Sequence, residues 1–186
     1  MLHARLVEAL EALARDQVAE QVERLAHHAL RGEVWAKAVT YCQQAGARAH
    51  GRAAFREAVA AFEQALQALA HLPEHGDTGV LAIELRLALD RPLMALGEHG
   101  RRLALLGEAE VLARALDDRG RLVLVLAGMS HVLRLMGDPD GAMAAGQQAL
   151  ELSAALGDSA LQGQAFYFLG QTYFAIGDFG RAAELL

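Results

Sequence analysis

A spacing of 40 residues recurs in the second half of the chain and constrains its fold more than any other feature. Gly97, Gly137 and Gly177 are 40 residues apart. Matched positions after the first two glycines carry the same residue types, in the pairs Ala109 and Ala149, Leu112 and Leu152, Ala115 and Ala155, Leu116 and Leu156, and Asp118 and Asp158. One period with apolar positions in phase is typical of stacked supersecondary units.

Each unit has the pattern of two amphipathic helices joined by a turn. Helices are expected over 122–135 and 141–156, with a turn at Gly137–Asp140, and again over 165–175 and from Gly180 onward. The chain is 54% hydrophobic, mostly through Ala and Leu, and contains only 3 Pro, a composition that favours helices. The predicted fold is all-α, an α-solenoid of antiparallel helix pairs.

Two segments carry a resemblance to the tetratricopeptide (TPR) repeat. Phe166-x-x-Leu169-Gly170-x-x-Tyr173 resembles the pattern W-x₂-L-G-x₂-Y, and Ala182 follows at the small position of the second helix. Upstream, Ala58-x-x-x-Phe62-x-x-Ala65 resembles the signature of a second helix, and Gly46 stands at the close-packing position of the first helix, expected over about 39–50. The resemblance places four repeats, which start near Val39, Ile83, Val123 and Gly163.

The second repeat departs from this pattern. Asp90 and Arg102 replace the two small residues, and Pro92 lies inside the first helix, where we expect a kink or a late helix start. A longer connection, His71–Gly79, precedes this repeat.

The N-terminal segment is similar to the junction between a nucleotide-binding module and TPR repeats in bacterial signalling ATPases. The residues concerned are Leu-Ala-His-His-Ala at 25–29, Gly-Glu-Val-Trp-Ala-Lys-Ala at 32–38 and Tyr-Cys-Gln-Gln-Ala-Gly at 41–46. These ATPases include adenylate/guanylate cyclases with an ATPase module and LuxR-type regulators. Residues 1–31 would then be the helical end of the ATPase module, with leucines 2, 6, 10 and 13 on one inner stripe and Asp16 capping the second helix. Residues 32–186 would be TPR-like repeats, the last one truncated within its second helix.

This resemblance implies a non-catalytic sensor or interaction segment that binds a protein, a peptide or a small effector in the concave groove. It implies no cofactor for this chain, and adjacent ATPase or cyclase domains as partners in the parent protein. The alternatives are a fragment of an adenylate/guanylate cyclase, a piece of a transcription regulator, and a free-standing TPR adaptor. The groove residues expected from the TPR register are Thr40, Gln43, His50, Glu84, Arg91, Met94, His131, Arg134, Gln164, Tyr167, Gln171 and Phe174.

Charge and composition argue against several other classes of protein. The net charge of −6 comes without a basic stripe, so no nucleic-acid partner is expected. The longest apolar run, 122–129, is far shorter than the ~20 residues of a membrane-spanning helix. One cysteine excludes an intrachain disulfide and fits a cytoplasmic setting. The sequence contains no phosphate-binding G-x-x-x-x-G-K-[ST] motif, so we expect the chain not to bind nucleotides.

Five local motifs are interpreted structurally. His71–His75 matches the zinc-peptidase pattern H-x-x-E-H, but Pro73 and the nearby glycines predict a loop instead of the helix that this chemistry needs. The remaining expectations are that His27 and His28 do not chelate one ion together, that Cys42 is a buried apolar residue, that Asp138–Gly141 is a turn, and that Trp35 is core. No metal site and no catalytic residue is predicted.

Overall fold

The computed structural model describes residues 2–13, 21–73 and 75–185, and these fold into ten helices with no strand among them. The chain divides into two compact units, Met1–Leu96 and Gly97–Leu186. Unit 1 contains α1 (Leu2–Leu13), α2 (Val22–Arg31), α3 (Trp35–Gly51), α4 (Phe55–Leu69) and α5 (Gly76–Ala95). Unit 2 contains α6 (His99–Ala115), α7 (Arg119–Leu135), α8 (Pro139–Leu156), α9 (Ser159–Ala175) and α10 (Phe179–Leu185). The all-α class predicted from the periodicity is confirmed.

Consecutive helices pack against each other within each unit, and the short turns between most of them make neighbouring helices antiparallel. In unit 1, Gly46 on α3 lies against the ring of Phe62 on α4. A Cβ atom at Gly46 would lie only 2.8 Å from Phe62 Cε1. The small residue predicted at this helix crossing is therefore required by the packing.

The turns of unit 2 recur every 20 residues, half the period found in the sequence. The backbone φ angle is positive at Gly97 (72°), Asp117 (49°), Gly137 (81°), Gly157 (69°) and Gly177 (83°). A left-handed residue ends each helix and is followed by the start of the next one. Asp117 adopts this conformation at greater steric cost than the four glycines.

Aspartate side chains start three helices of unit 2. Asp118 accepts a hydrogen bond from the Arg121 amide, Asp138 from the Gly141 amide, and Asp158 from the amides of Ala160 and Leu161. Each N-cap satisfies amide groups that have no partner inside the helix. Pro139 occupies the first position of α8, where a missing amide costs nothing.

The four repeats begin earlier than the sequence pattern indicates. Their first helices start at Trp35, Gly76, Arg119 and Ser159, which places Val39, Ile83, Val123 and Gly163 one to two turns inside the helices. The expected late helix start in the second repeat is wrong, because α5 begins at Gly76 and continues past the buried Pro92 to Ala95. Pro92 is tolerated because it lies in the last turn of α5.

The connection expected over 71–79 is shorter in the structure, since residues 76–79 belong to α5. Thr78 explains the early start: the His75 amide donates to Thr78 Oγ1 at 2.8 Å, which is half of a capping box.

At the N-terminus, Leu2 is 71% exposed, whereas Val7 is fully buried on α1. The leucine stripe expected there is therefore wrong at its first position. The cap expected at Asp16 lies outside the described residues.

Candidate functional site

Helices α7 and α9 of unit 2 lie side by side, and α8 contacts both of them. Gly146 on α8 allows this arrangement. A Cβ atom there would lie 3.0 Å from Ser130 Oγ on α7 and 3.0 Å from Leu169 Cδ1 on α9. On the α9 side, Leu169, Tyr173 and Ala182 form a buried cluster, as the TPR-like signature predicts.

Aromatic rings connect α7 and α9. The His131 ring on α7 stacks on Phe168 of α9, with centroids 5.0 Å apart and an interplanar angle of 25°. Phe168 in turn meets the edge of Tyr167 at 5.3 Å. Half of Tyr167 remains accessible, at 52% exposure. Two of the predicted groove residues, His131 and Tyr167, are thus joined through a third residue that the sequence analysis did not include.

Arg134 lies one helical turn beyond His131 and is half-buried. Its Nη2 donates to Gln171 Oε1 on α9 at 3.0 Å, while its buried Nε has no hydrogen-bond partner. No carboxylate pairs with this guanidinium among the described residues. A half-buried charge without a counter-ion is costly, so Arg134 is suited to accept an anionic group from outside the chain.

The exposed aromatic surface of α9 continues toward its C-terminal end. Phe174 is 61% exposed and meets the ring of Phe179, itself 61% exposed, at a centroid distance of 5.3 Å. Large apolar side chains left exposed next to each other often mark interaction sites. The face formed by His131, Arg134, Tyr167, Phe168, Gln171 and Phe174 is called the α7–α9 face below.

The structure places the predicted groove residues on four helices and buries none of them. In unit 2, His131 and Arg134 lie on α7, and Gln164, Tyr167, Gln171 and Phe174 lie on α9. In unit 1, Thr40, Gln43 and His50 lie on α3, and Glu84, Arg91 and Met94 lie on α5. The Thr40 hydroxyl is already used within its helix, since it donates to the Ala36 carbonyl at 3.1 Å.

Phe168 is the functional candidate that sequence reasoning missed. It lies four residues after Gln164 and three before Gln171, so the helical spacing alone places it on their face. Its large apolar side chain resembles a core residue in the sequence. Only the partner ring from α7 distinguishes a surface stack from a core contact.

The other motifs have structural environments. Cys42 is fully buried, as predicted, and burial raises the pKa of its thiol to about 11, which makes it a poor nucleophile. Trp35 is only half-buried, so the core prediction is wrong. It is the first residue of α3, and its ring stacks on His71 at 4.0 Å.

Among residues 2–13, 21–73 and 75–185, no group of three or more His, Cys, Asp or Glu residues is placed to hold a metal ion. No helix in these ranges has both the length and the apolar character needed to cross a bilayer.

No protein-family model matches the sequence, and no curated protein is similar to it. Solved structures do match its fold. RapI in its apo form superposes with a TM-score of 0.77 at 10% identity, over 90% of this chain and 45% of RapI. The chain thus spans less than half the length of RapI.

Two further structures match over nearly the whole chain. BtubC (BKLC) from P. vanneervenii matches with a TM-score of 0.62 and 22% identity, over 99% of this chain and 85% of its own. The TPR-like repeats of a putative kinesin light chain from Podosopora anserina match with a TM-score of 0.66 and 18% identity, over 98% and 89%. At these identities the similarity establishes the fold, which is that of TPR-like helical repeat proteins.

Proposed function

We propose that this chain is a non-catalytic interaction module that binds an extended peptide across the α7–α9 face. The observation that carries the proposal is Arg134, a half-buried guanidinium with a buried, unsatisfied Nε and no carboxylate partner among the described residues. An acidic side chain of the peptide would supply the missing acceptor, because charged hydrogen bonds to arginine are the strong ones.

The exposed aromatic rings define the rest of the proposed peptide. Tyr167 and Phe174 lie on either side of Gln171 along α9, one helical turn from it. An apolar peptide side chain next to the acid would cover part of both rings. The TPR-like fold of the neighbours is consistent with a protein-interaction role, and the proposal that the partner is acidic and apolar rests on the residues of the α7–α9 face.

Fluorescence anisotropy with labelled peptides tests the proposal. The probes are eight-residue peptides that alternate Asp or Glu with Leu or Phe, alongside versions in which Asn and Gln replace the acids. Arg134→Ala should weaken binding of the acidic peptides about tenfold or more, since a charged hydrogen bond contributes about 1.5–3 kcal/mol. Tyr167→Ala should weaken binding of both peptide sets.

Arg119→Ala is the matched control, because Arg119 lies at the exposed start of the same helix and pairs with Asp117 at 3.2 Å. It should leave peptide affinity unchanged. If Arg134→Ala and Tyr167→Ala bind the peptides as well as the unmodified chain does, the α7–α9 face is not the binding site.

We further propose that the parent protein is a bacterial signalling ATPase, in which residues 1–31 end the ATPase module and the repeats act as its sensor. The resemblance of segments 25–29, 32–38 and 41–46 supports this assignment. In the alternative, the parent is an adenylate/guanylate cyclase. The genomic sequence on either side decides between them: a P-loop upstream supports the ATPase, an additional cyclase domain supports the alternative, and the absence of both removes the assignment.

A further inference from the structure

Three histidines meet where α1 packs on α2. His3 Nδ1 on α1 lies 2.9 Å from His28 Nδ1 on α2, and the two ring centroids are 5.1 Å apart with an interplanar angle of 28°. The His27 ring lies 5.2 Å from that of His28 and 6.3 Å from that of His3. The sequence places 25 residues between His3 and His28, so no local pattern indicates this cluster.

The His3–His28 contact requires a shared proton. The centroid separation exceeds the distance between the nitrogens by about the width of one imidazole ring, so the rings meet edge to edge through their Nδ1 atoms. One Nδ1 must carry hydrogen and donate, while the other must be deprotonated and accept. When both rings are protonated, both Nδ1 atoms are donors and the contact becomes repulsive.

The groups that face His28 make its second protonation unfavourable. They are His3 on α1, and Arg24 and His27 on α2. Burial lowers the pKa of His28 below its ordinary value, and the charges of these three groups lower it further. A histidine whose pKa is lowered in the packed state binds fewer protons there than when released. Its packing is therefore complete above the ordinary histidine pKa of about 6.5 and weakens as the pH falls below that value.

The opposite end of α1 is held by contacts that do not respond in this pH range. Lys37 Nζ on α3 donates to Glu11 Oε2 at 2.7 Å, and the Tyr41 hydroxyl donates to Glu11 Oε1 at 2.5 Å. Burial would raise the pKa of Glu11, but the hydrogen bonds from Lys37 and Tyr41 outweigh it, and the pKa lies below its ordinary value. Glu11 stays ionised at mildly acidic pH, so this contact remains.

We propose that α1 is a proton-operated latch: its N-terminal end is docked on α2 while His3 and His28 share a proton, and is released when both imidazoles are protonated, with the Glu11 end still attached. Release uncovers apolar surface on both helices, because Val7 on α1 is fully buried and Val22 and Leu25 on α2 are buried to within 2%. Mild acid thus converts a covered surface of unit 1 into an accessible one.

Gly32 offers a way to open the latch without acid. A Cβ atom at Gly32 would lie 2.8 Å from the Ala4 backbone nitrogen. Its φ of −90° is allowed for any residue, so Gly32→Ala acts only by pushing α1 away.

Hydrogen exchange of the whole chain at pH 7.5 and pH 5.5, expressed as protection factors, tests the proposal. In the unmodified chain, the protection of the α1 amides near His3 should fall about threefold to tenfold at the lower pH, the effect of losing one half-buried hydrogen bond. Protection around Glu11 and in α3 should stay constant. Gly32→Ala should show low protection near His3 at both values of pH.

His3→Gln should abolish the response, because the glutamine amide can donate to a neutral His28 or accept from a protonated one. His71→Gln is the control and should respond like the unmodified chain, since His71 stacks on Trp35 away from α1. Constant protection near His3 in the unmodified chain, or a full response in His3→Gln, would overturn the proposal.

Discussion

Single residues with no side chain fix the helix crossings of this protein. Gly46 brings α3 against the Phe62 ring in unit 1, and Gly146 brings α8 against Ser130 and Leu169 in unit 2. The TPR-like register predicts the first of these from sequence, because a small residue is expected where two helices cross. The cross-helix contacts of Phe168 and His3 are not predictable in this way, because their partner rings lie on other helices, 37 and 25 residues away in the chain.

Replacement of Gly46 by alanine tests this view of the crossing. The new methyl group would lie 2.8 Å from Phe62 Cε1, so the ring or α3 must shift. We expect a loss of about 1–3 kcal/mol in the free energy of unfolding, as for other overpacked sites. Urea denaturation followed by circular dichroism measures it.

Gly51→Ala is the control on the same helix, since no atom lies within 4 Å of its Cβ position. It should be neutral or slightly stabilising, because alanine is the better helix former. Equal stability of the two variants would show that α3 and α4 do not need a glycine at their crossing.

At the scale of the helices, the sequence indicates the helices of unit 2 but not their basic spacing. The 40-residue repeat is visible because identical residues recur, whereas the 20-residue step is carried by similar residues in the turns. Leu96, Leu116, Met136, Leu156 and Ile176 each precede a left-handed residue, followed by Glu or Asp at 98, 118, 138, 158 and 178. Helix starts were predicted late, because the apolar pattern begins only after the cap and the first polar turn.

The Asp118 cap should give α7 a dependence on pH. Burial would raise the pKa of this carboxyl, but the backbone and side-chain hydrogen bonds from Arg121, at 2.9 and 2.7 Å, outweigh it, and the pKa is lowered. A lowered pKa stabilises the folded state above the ordinary aspartate value of about 3.9, and this stabilisation is lost as the pH falls through the lowered pKa.

Urea denaturation of the unmodified chain and of Asp118→Asn checks this expectation. Asparagine is also a good cap, so the comparison isolates the charge. The unmodified chain should be more stable at pH 7, and its advantage should shrink below about pH 4. Asp158→Asn is the control, since Asp158 caps α9 through backbone amides alone. An advantage of constant size down to the lowest pH at which both proteins fold would contradict the assignment.

For the whole molecule, the pattern of neighbours predicts where the structure opens first. Helices of a repeat array are stabilised by the helices next to them. In unit 2, α7 and α8 each have neighbours on two sides, whereas the seven-residue α10 packs on α9. In unit 1, α3 packs between α2 and α4, and α1 packs on α2.

Native-state hydrogen exchange at pH 7.5 should therefore divide the helices into two classes. Amides of α1 and α10 should exchange first, and those of α3, α7 and α8 should exchange last, through larger openings. Peptide-resolved mass spectrometry gives the order. Protection of α10 as high as that of α7 would show that contacts beyond α9 stabilise it.

The 20-residue step of unit 2 has a consequence for how such a chain can change in length. Each helix runs opposite to the one before it, so the loss or gain of a single helix-turn segment reverses the direction of every helix that follows. The exposed residues of α9 would then no longer lie beside those of α7. Two segments restore both direction and register, so a gene of this kind can grow or shrink by recombination only in blocks of 40 codons. The repeat visible in the sequence is thus the smallest inheritable unit, although the smallest physical unit is half as long.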